Sequence, residues 1–306
     1  MVDINTIDWN EVWKDEVHDK KKRGPFASCV ERWSDRERCR KFSLMAQKGN
    51  WKRSRDRIAA MTLSPGFRVL DIGAGPGTLA IPLAGMVKHV TAIEPSEGMR
   101  ECLLENIRAQ GVRNITIIGK KWEEIDPSKE LAPSYDVVVA SYSLGVPDLK
   151  DALLKMNAVT GRYAYIFWFA DLASPRKATY AEIWEELYGT VLPEERKPNI
   201  IINLLNQLGI YANVEISRVR HTRRFTSLDE AVSEEQQDLN LTTPAQIRIL
   251  RRFLAEKLRS DAGGYVMDRT SRHAKIWWEK EPGPRRGFPS KRKKVPGRQL
   301  LFSGSR

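Results

Sequence analysis

Between residues 67 and 169 the chain alternates short, almost uninterrupted apolar runs with amphipathic stretches. This rhythm constrains the fold more than any other feature of the sequence. The apolar runs fall at 67–72, 89–93, 114–118, 135–140 (with DVVVA at its centre) and 163–169. Helix signals fill the intervals. Residues 78–86 read as one helix; a second opens behind Ser96 as N-cap and sets Met99, Leu103, Leu104 and Ile107 on one face. A third, 149–156, opens behind Asp148. Strands apolar on both faces must be covered on both faces, and helix-length crossovers join parallel neighbours. The pattern predicts an α/β fold, doubly wound, with a mostly parallel sheet and helices on both sides.

The flanks depart from this rhythm. Residues 1–50 read as an irregular helical cap segment with a basic cluster at 20–23 and a Gly24-Pro25 break. Residues 51–61 read as a helix stopped by the Ser64-Pro65-Gly66 turn. Beyond 169 the expected elements are helices at 178–188 and 200–208, a strand at 214–219, helix from 226 to about 260, and a last strand at 275–278. Thr243-Pro244-Ala245-Gln246 carries a capping-box pattern, followed by an apolar stripe of Ile247, Leu250, Leu254 and Leu258. Residues 282–306 are rich in Pro, Gly, Lys and Arg, a composition that predicts a disordered tail. The expected division is therefore a cap segment, 1–50; a main domain, 51–281, with a helical insertion at about 226–268; and a basic tail, 282–306.

Composition narrows the class. At 306 residues, with 41% hydrophobic and 29% charged residues, the chain can bury a large core. No apolar run approaches the roughly 20 residues of a membrane span. The opening MVDINTIDWNEVWKDE has neither the basic nor the apolar segment of a secretory leader, so the expected location is the cytoplasm. Cys29, Cys39 and Cys102 form no metal-ligand spacing, and no metal is expected. The net charge of +12 owes eight charges to the tail after residue 282, leaving +4 for the rest.

The first strand runs into VLDIGAGPGT, residues 69–78, with three glycines in five positions and Asp71 two residues ahead of the first. A glycine turn leaving a strand sets backbone N–H groups and a helix N-terminus against a ligand. The dinucleotide fingerprint is G-x-G-x-x-G, and the spacing here is G-x-G-x-G. A tight turn with no ligand is the other reading of the glycines alone. The full arrangement, D-x-G-x-G-x-G, resembles motif I of the class I S-adenosylmethionine-dependent methyltransferases.

The resemblance covers residues 51–169, with a looser match to 280, because that family ends its sheet in an antiparallel pair. It implies a Rossmann-like seven-stranded sheet and S-adenosyl-L-methionine as cofactor, held by Asp71, Gly73, Ala74, Gly75 and Gly77. Glu94, followed by Pro95, lies where the family's ribose-binding acid sits. Ser141 and Tyr142 fall in the loop beside the methionine portion. One departure stands after the third strand, where GKKWEEI places Lys121 at the position of an adenine-binding Asp. Trp122 packing on the adenine and Glu123 taking the polar contact would replace it. An ordinary half-buried aromatic is the competing reading of both Tyr142 and Trp122.

The implied reaction is methyl transfer by in-line displacement, where alignment does much of the work. A base is needed only when the acceptor must lose a proton. His18, His89, His221 and His273 are scattered in the sequence, no triad is visible, and no catalytic residue is assigned. His89 opens a strand, away from the strand ends that bind ligands, and reads as structural. The acceptor pocket is expected from residues 1–50, the loops after strands four and five, and 226–268, with Tyr142, Trp168 and Phe169 lining it. Arg220 and His221 are further substrate candidates. Arg218, Arg220 and Arg224 share one strand face and His221 and Arg223 the other; a solvated basic edge strand that discourages aggregation is the alternative. The expected acceptor is a small molecule or a protein side chain. RNA held by the tail and the basic helix around Arg251 is the alternative, although Ala140-Ser141-Tyr142-Ser143 stands where an N-P-P-[YF] motif would be. A non-catalytic binding scaffold is a third reading.

Overall fold

All five apolar runs are strands of one sheet in the computed structural model, which describes residues 6–18, 33–48, 51–194 and 197–280. The basic tail, the 20–23 cluster, the Gly24-Pro25 break and Cys29 lie outside the described residues. Helices α1 (Trp9–His18), α2 (Arg36–Lys48) and α3 (Lys52–Ala59) precede the sheet. Then follow β1 (Arg68–Ile72), α4 (Ala80–Ala84), β2 (His89–Ile93), α5 (Glu97–Ala109), β3 (Ile115–Ile118), α6 (Pro127–Glu130), β4 (Tyr135–Ser141), α7 (Leu149–Val159) and β5 (Thr160–Phe169). The second half adds α8 (Pro175–Thr179), α9 (Trp184–Tyr188), α10 (Lys197–Gln207), β6 (Asn213–Phe225), α11 (Leu228–Leu239), α12 (Pro244–Lys257), β7 (Arg259–Asp261) and β8 (Gly264–Glu279).

The strand order is β3-β2-β1-β4-β5-β8-β6, with the three-residue β7 pairing with β8. β1 to β5 are mutually parallel, and β8 runs antiparallel to both β5 and β6. The order reverses beside β1, which lies between β2 and β4, and this opens a crevice at their carboxyl ends. Alternation along β4 supplies both cores: Val138 and Ala140 join Leu70, Ile72, Leu153 and Leu204 on one face. Val137 and Val139 join Val69, Ile58, Leu83 and Leu103 on the other.

The local signals hold. Ser96 Oγ accepts from the Met99 N–H at 3.2 Å, and Asp148 accepts from the Asp151 N–H at 2.9 Å. Thr243 and Gln246 form the capping box. The N-terminal helices dock on opposite sides. In α1, Trp13 is 0% exposed, donates its indole N–H to Val146 O at 2.8 Å and meets Trp168 edge-on at 6.5 Å. In α2, Cys39 packs with Met99 and Cys102 of α5.

The strands expected at 214–219 and 275–278 are parts of a much longer ribbon, 13 residues of β6 against 16 of β8. Helix ends at Lys257, and 264–268, placed in the helical insertion, belongs to β8. The ribbon is rich in charged residues and one face of β6 is exposed, so no apolar run marks it; the cross-strand ladder supplies what the side-chain pattern does not. Its far end carries a third core, in which Tyr180, Leu187, Phe225, Leu239, Leu250, Phe253 and Met267 meet. Beside it Glu235, 0% exposed, accepts from Arg269 Nη2 at 2.7 Å and pairs with Arg223 Nη1 at 2.5 Å.

Candidate functional site

The glycine turn follows directly on β1. Gly73, Gly75 and Gly77 have φ of +74°, +57° and +91°, a region that suits residues lacking Cβ. Their surroundings divide the roles. A Cβ on Gly73 would overlap the Ser143 side chain, and one on Gly77 would lie 2.6 Å from Ile81 and Leu103. A Cβ on Gly75 meets nothing within 4 Å. Gly73 and Gly77 are therefore required for packing, while Gly75 bares backbone to open space.

The acid at the end of β2 is tied to this turn. Glu94 is 7% exposed; its Oε2 accepts from the Gly75 N–H at 2.7 Å and its Oε1 from the Ser96 N–H at 2.8 Å. Burial raises its pKa, against the pull of those two N–H groups and of Arg100. Arg100 Nη1 also donates to Pro95 O at 2.6 Å, which pins the turn.

Asp71 is 1% exposed, and burial pushes its pKa up to about 7, with Arg57 opposing and Glu94 adding to the rise. Asp71 Oδ2, Arg57 Nε and Ser141 Oγ are buried with no hydrogen-bond partner among the described residues. The Asp71–Val139 pairing places Asp71 and Ser141 on the same sheet face, which α3 covers. Unsatisfied buried polar groups are costly, and three gathered at one crevice point to a polar occupant.

Tyr142 closes the crevice beside β4. Its φ is +58°, its N–H donates to Phe167 O at 2.9 Å, and its ring stacks on Phe169 with centroids 4.6 Å apart. The Arg57 guanidinium lies 5.3 Å from the Tyr142 ring centre, so one side chain covers this ring and bears on Asp71. Tyr142 Oη bonds His273 Nδ1; His273 Nε2 is 2.7 Å from Ser271 Oγ, and His221 Nε2 is 3.3 Å from the same hydroxyl.

Asp71, Gly73, Ala74, Gly75, Gly77, Glu94, Pro95, Ser141 and Tyr142 thus gather at the ends of β1, β2 and β4. Trp122 does not offer a ring to the crevice. The turn at Trp122–Glu124 directs it under α7, where it is 3% exposed and donates to Ala152 O at 3.2 Å. Glu123 remains exposed. Phe169 joins Tyr142, whereas Trp168 packs against Trp13. Arg220 and His221 part, as strand alternation requires: Arg220 pairs with Asp268 at 2.8 Å, while His221 turns to Ser271. The sequence reading did not single out Arg57, and it left His273 without a role. The S-R-H triplet at 271–273 carries the signal for His273, since alternate residues of a strand share a face, but it lay outside the strand as read.

Residues 69–161 match the family described as a methyltransferase domain. That segment, 93 of the 306 residues, carries the likeness to methyltransferases. An uncharacterized protein of Haemophilus influenzae is 32% identical over 159 residues, 51% of this chain and 56% of that protein. A protein-L-isoaspartate O-methyltransferase of Protochlamydia amoebophila is 30% identical over 104 residues, 33% of this chain and 45% of that enzyme. The chain spans about half the length of the curated relatives it matches. The fold of the methyltransferase domain is shared with the solved YcgJ protein of Bacillus subtilis, at a TM-score of 0.50 and 13% identity over 75% of this chain and 98% of that one. In this domain the crevice at β1, β2 and β4 combines a glycine turn open at Gly75, an acid at each of two strand ends and an arginine from α3.

Proposed function

We propose that the chain is an S-adenosylmethionine-dependent methyltransferase acting on a small molecule or a protein side chain. The observation that carries this reading is the trio of orphaned polar atoms on Arg57, Asp71 and Ser141, next to the open space at Gly75. An amino-acid end needs a cation for its carboxylate and acceptors for its ammonium, and Arg57, Asp71 and Ser141 supply both. Each Glu94 oxygen accepts one backbone N–H and retains a lone-pair direction for a ribose hydroxyl. Ala74 and Pro95 line the same turns, and Glu123, exposed after β3, would supply a polar contact to the adenine. When bound, the cofactor supplies an electrophilic methyl group on a sulfonium. The chain's own task is to align an acceptor in line with it and to exclude water, with Tyr142 and Phe169 as the wall beside the crevice.

The basic helix offers little to RNA. Arg251 pairs with Asp229 at 2.6 Å, Arg252 with Glu186 at 2.6 Å and Lys257 with Glu182 at 2.7 Å, so three of its four cations already have anions. No helix among the described residues is long and apolar enough to cross a membrane.

Titration calorimetry with S-adenosylmethionine tests the reading. Wild type binds, and Glu94→Ala and Gly75→Leu lose roughly tenfold or more in affinity, the cost of about 1.5–3 kcal/mol for a charge-assisted hydrogen bond or a filled cradle. Undiminished affinity in either variant, shown folded by circular dichroism, places the cofactor elsewhere. Methyl-labelled cofactor incubated with cell extract, fractionated into RNA, protein and small molecules, then identifies the acceptor class.

A further inference from the structure

The hydrogen-bonded run Tyr142–His273–Ser271–His221 starts at the wall of the crevice and leads away from it. Every member can both donate and accept a hydrogen bond, so a proton entering at one end can be passed along the run. Two members are imidazoles, whose proton exchange belongs to neutral pH. Strand geometry builds the run: Ser271 and His273 alternate onto one face of β8, and His221 stands one step along β6 from Val219, the ladder partner of Ser271. Phe169, the ladder partner of His273, closes the side of the run with its ring 5.3 Å from the imidazole.

The entry point is held at some cost. Tyr142 is one of three non-glycine residues with positive φ among the described residues, a conformation that costs about 1–2 kcal/mol. Strain of this kind gathers where a side chain must be aimed. The Arg57 cation over the ring favours charge developing on the phenol oxygen. The far end, His221, is half-buried, and its Nδ1 is a buried atom. Around the run the charged groups are Arg57 at Tyr142, Arg269 across the ladder from His221, and Arg223 with Glu235 beyond. The ion pairs Arg220–Asp268 and Arg272–Asp171 flank it from the alternate strand positions.

We infer that this run is a proton relay for methyl transfer, and that the acceptor therefore arrives as a neutral group bearing its proton on oxygen or nitrogen, not as a carboxylate. The inference rests on the reading of the crevice as the cofactor site. The acceptor's proton passes to Tyr142 Oη as the tyrosine's own proton passes to His273 Nδ1. The His273 Nε2 proton moves to Ser271 Oγ, and the Ser271 proton to His221 Nε2, where the imidazolium formed at His221 holds it. The electron pair left on the acceptor atom becomes its bond to the methyl group, and the bond broken at the sulfonium returns its pair to sulfur. Tyr142 is the catalytic residue; His273, Ser271 and His221 act through it.

Side-chain 15N spectra of histidine-labelled full-length protein test the relay without any acceptor. Tyr142→Phe shifts the ring nitrogens of both His273 and His221, and Ser271→Ala, a mild change at a buried position, cuts the response at His221 from that at His273. A Tyr142→Phe spectrum in which His221 does not move overturns the relay, as does a Ser271→Ala protein in which the two histidines remain coupled. The substrate class is read from the labelled product: mild alkali releases no volatile methanol from an ether or an N-methyl group, and release of methanol, the mark of a methyl ester, refutes the class. His273→Gln binds S-adenosylmethionine as wild type does, while its turnover falls by about a hundredfold, the share of a proton-transfer group. Unchanged turnover in that variant removes the relay from the reaction. A wild-type protein that does not bind S-adenosylmethionine in the calorimeter strikes the cofactor reading instead, and the histidine spectra still decide the relay.

Discussion

Asp71 is a carboxylate kept from water, facing an arginine, with one oxygen unpartnered. Its pKa of about 7, against an ordinary 3.8, means that between these values the folded chain holds a proton that the unfolded chain has lost. Stability of the ligand-free protein therefore falls as pH rises through that window. Asp71→Asn removes the titration: its Tm at pH 8 should exceed that of wild type, while its calorimetric affinity for S-adenosylmethionine drops. A Tm equal to or below wild type at pH 8 contradicts this account. Arg57→Ala should weaken the cofactor roughly tenfold, and an unchanged Kd would remove Arg57 from the site. Asp71, the glycines and Glu94 were legible because their spacing carries their chemistry. Arg57 was not, since it sits in KRSRDRIA among equivalent basic residues and only the packing of α3 selects it. Trp122 was misjudged for a related reason: position in a loop does not say which way a ring turns, and here the core took it.

Among the elements, the five parallel strands announced themselves by apolar runs, and the caps at Ser96, Asp148 and Thr243 by side chains that can do little else there. The β6–β8 ribbon was legible only in fragments. Its partners lie about fifty residues apart in sequence, and its exposed face is written in arginine rather than in valine. Helix α1 is the element whose importance the sequence least suggested. It lies outside the matched family segment, yet Trp13 fills the space between Val146 and Trp168, and Asn10 bonds Asp148 at 3.2 Å. Trp13→Ala should cost about 3–5 kcal/mol in urea unfolding. A loss below about 1 kcal/mol would mean that α1 is not docked in solution.

For the whole molecule, the third core predicts two levels of stability. Leu250→Ala should cost about 2–5 kcal/mol locally and strip hydrogen-exchange protection from 228–257 while β1, β2 and β4 keep theirs. Uniform loss across the sheet would show a single cooperative unit. Removing residues 283–306 takes away eight positive charges and should leave S-adenosylmethionine affinity unchanged in the calorimeter, since every side chain placed at the crevice lies between 57 and 169. One feature of the ribbon reaches into the chain's history. The polypeptide leaves β6 at Phe225 and, after the helices and the three-residue β7, enters β8, where Tyr265 is the partner of Phe225 on one rung, so their Cα atoms stand only about 5 Å apart. The excursion between them is thus a splice-in: lengthening, trimming or exchanging it, with the three-residue β7 it contains, leaves β1 to β6 and β8 in place. The crevice end of the protein depends on the spacing of its glycines and acids, while this cassette meets the β6–β8 ladder at its end.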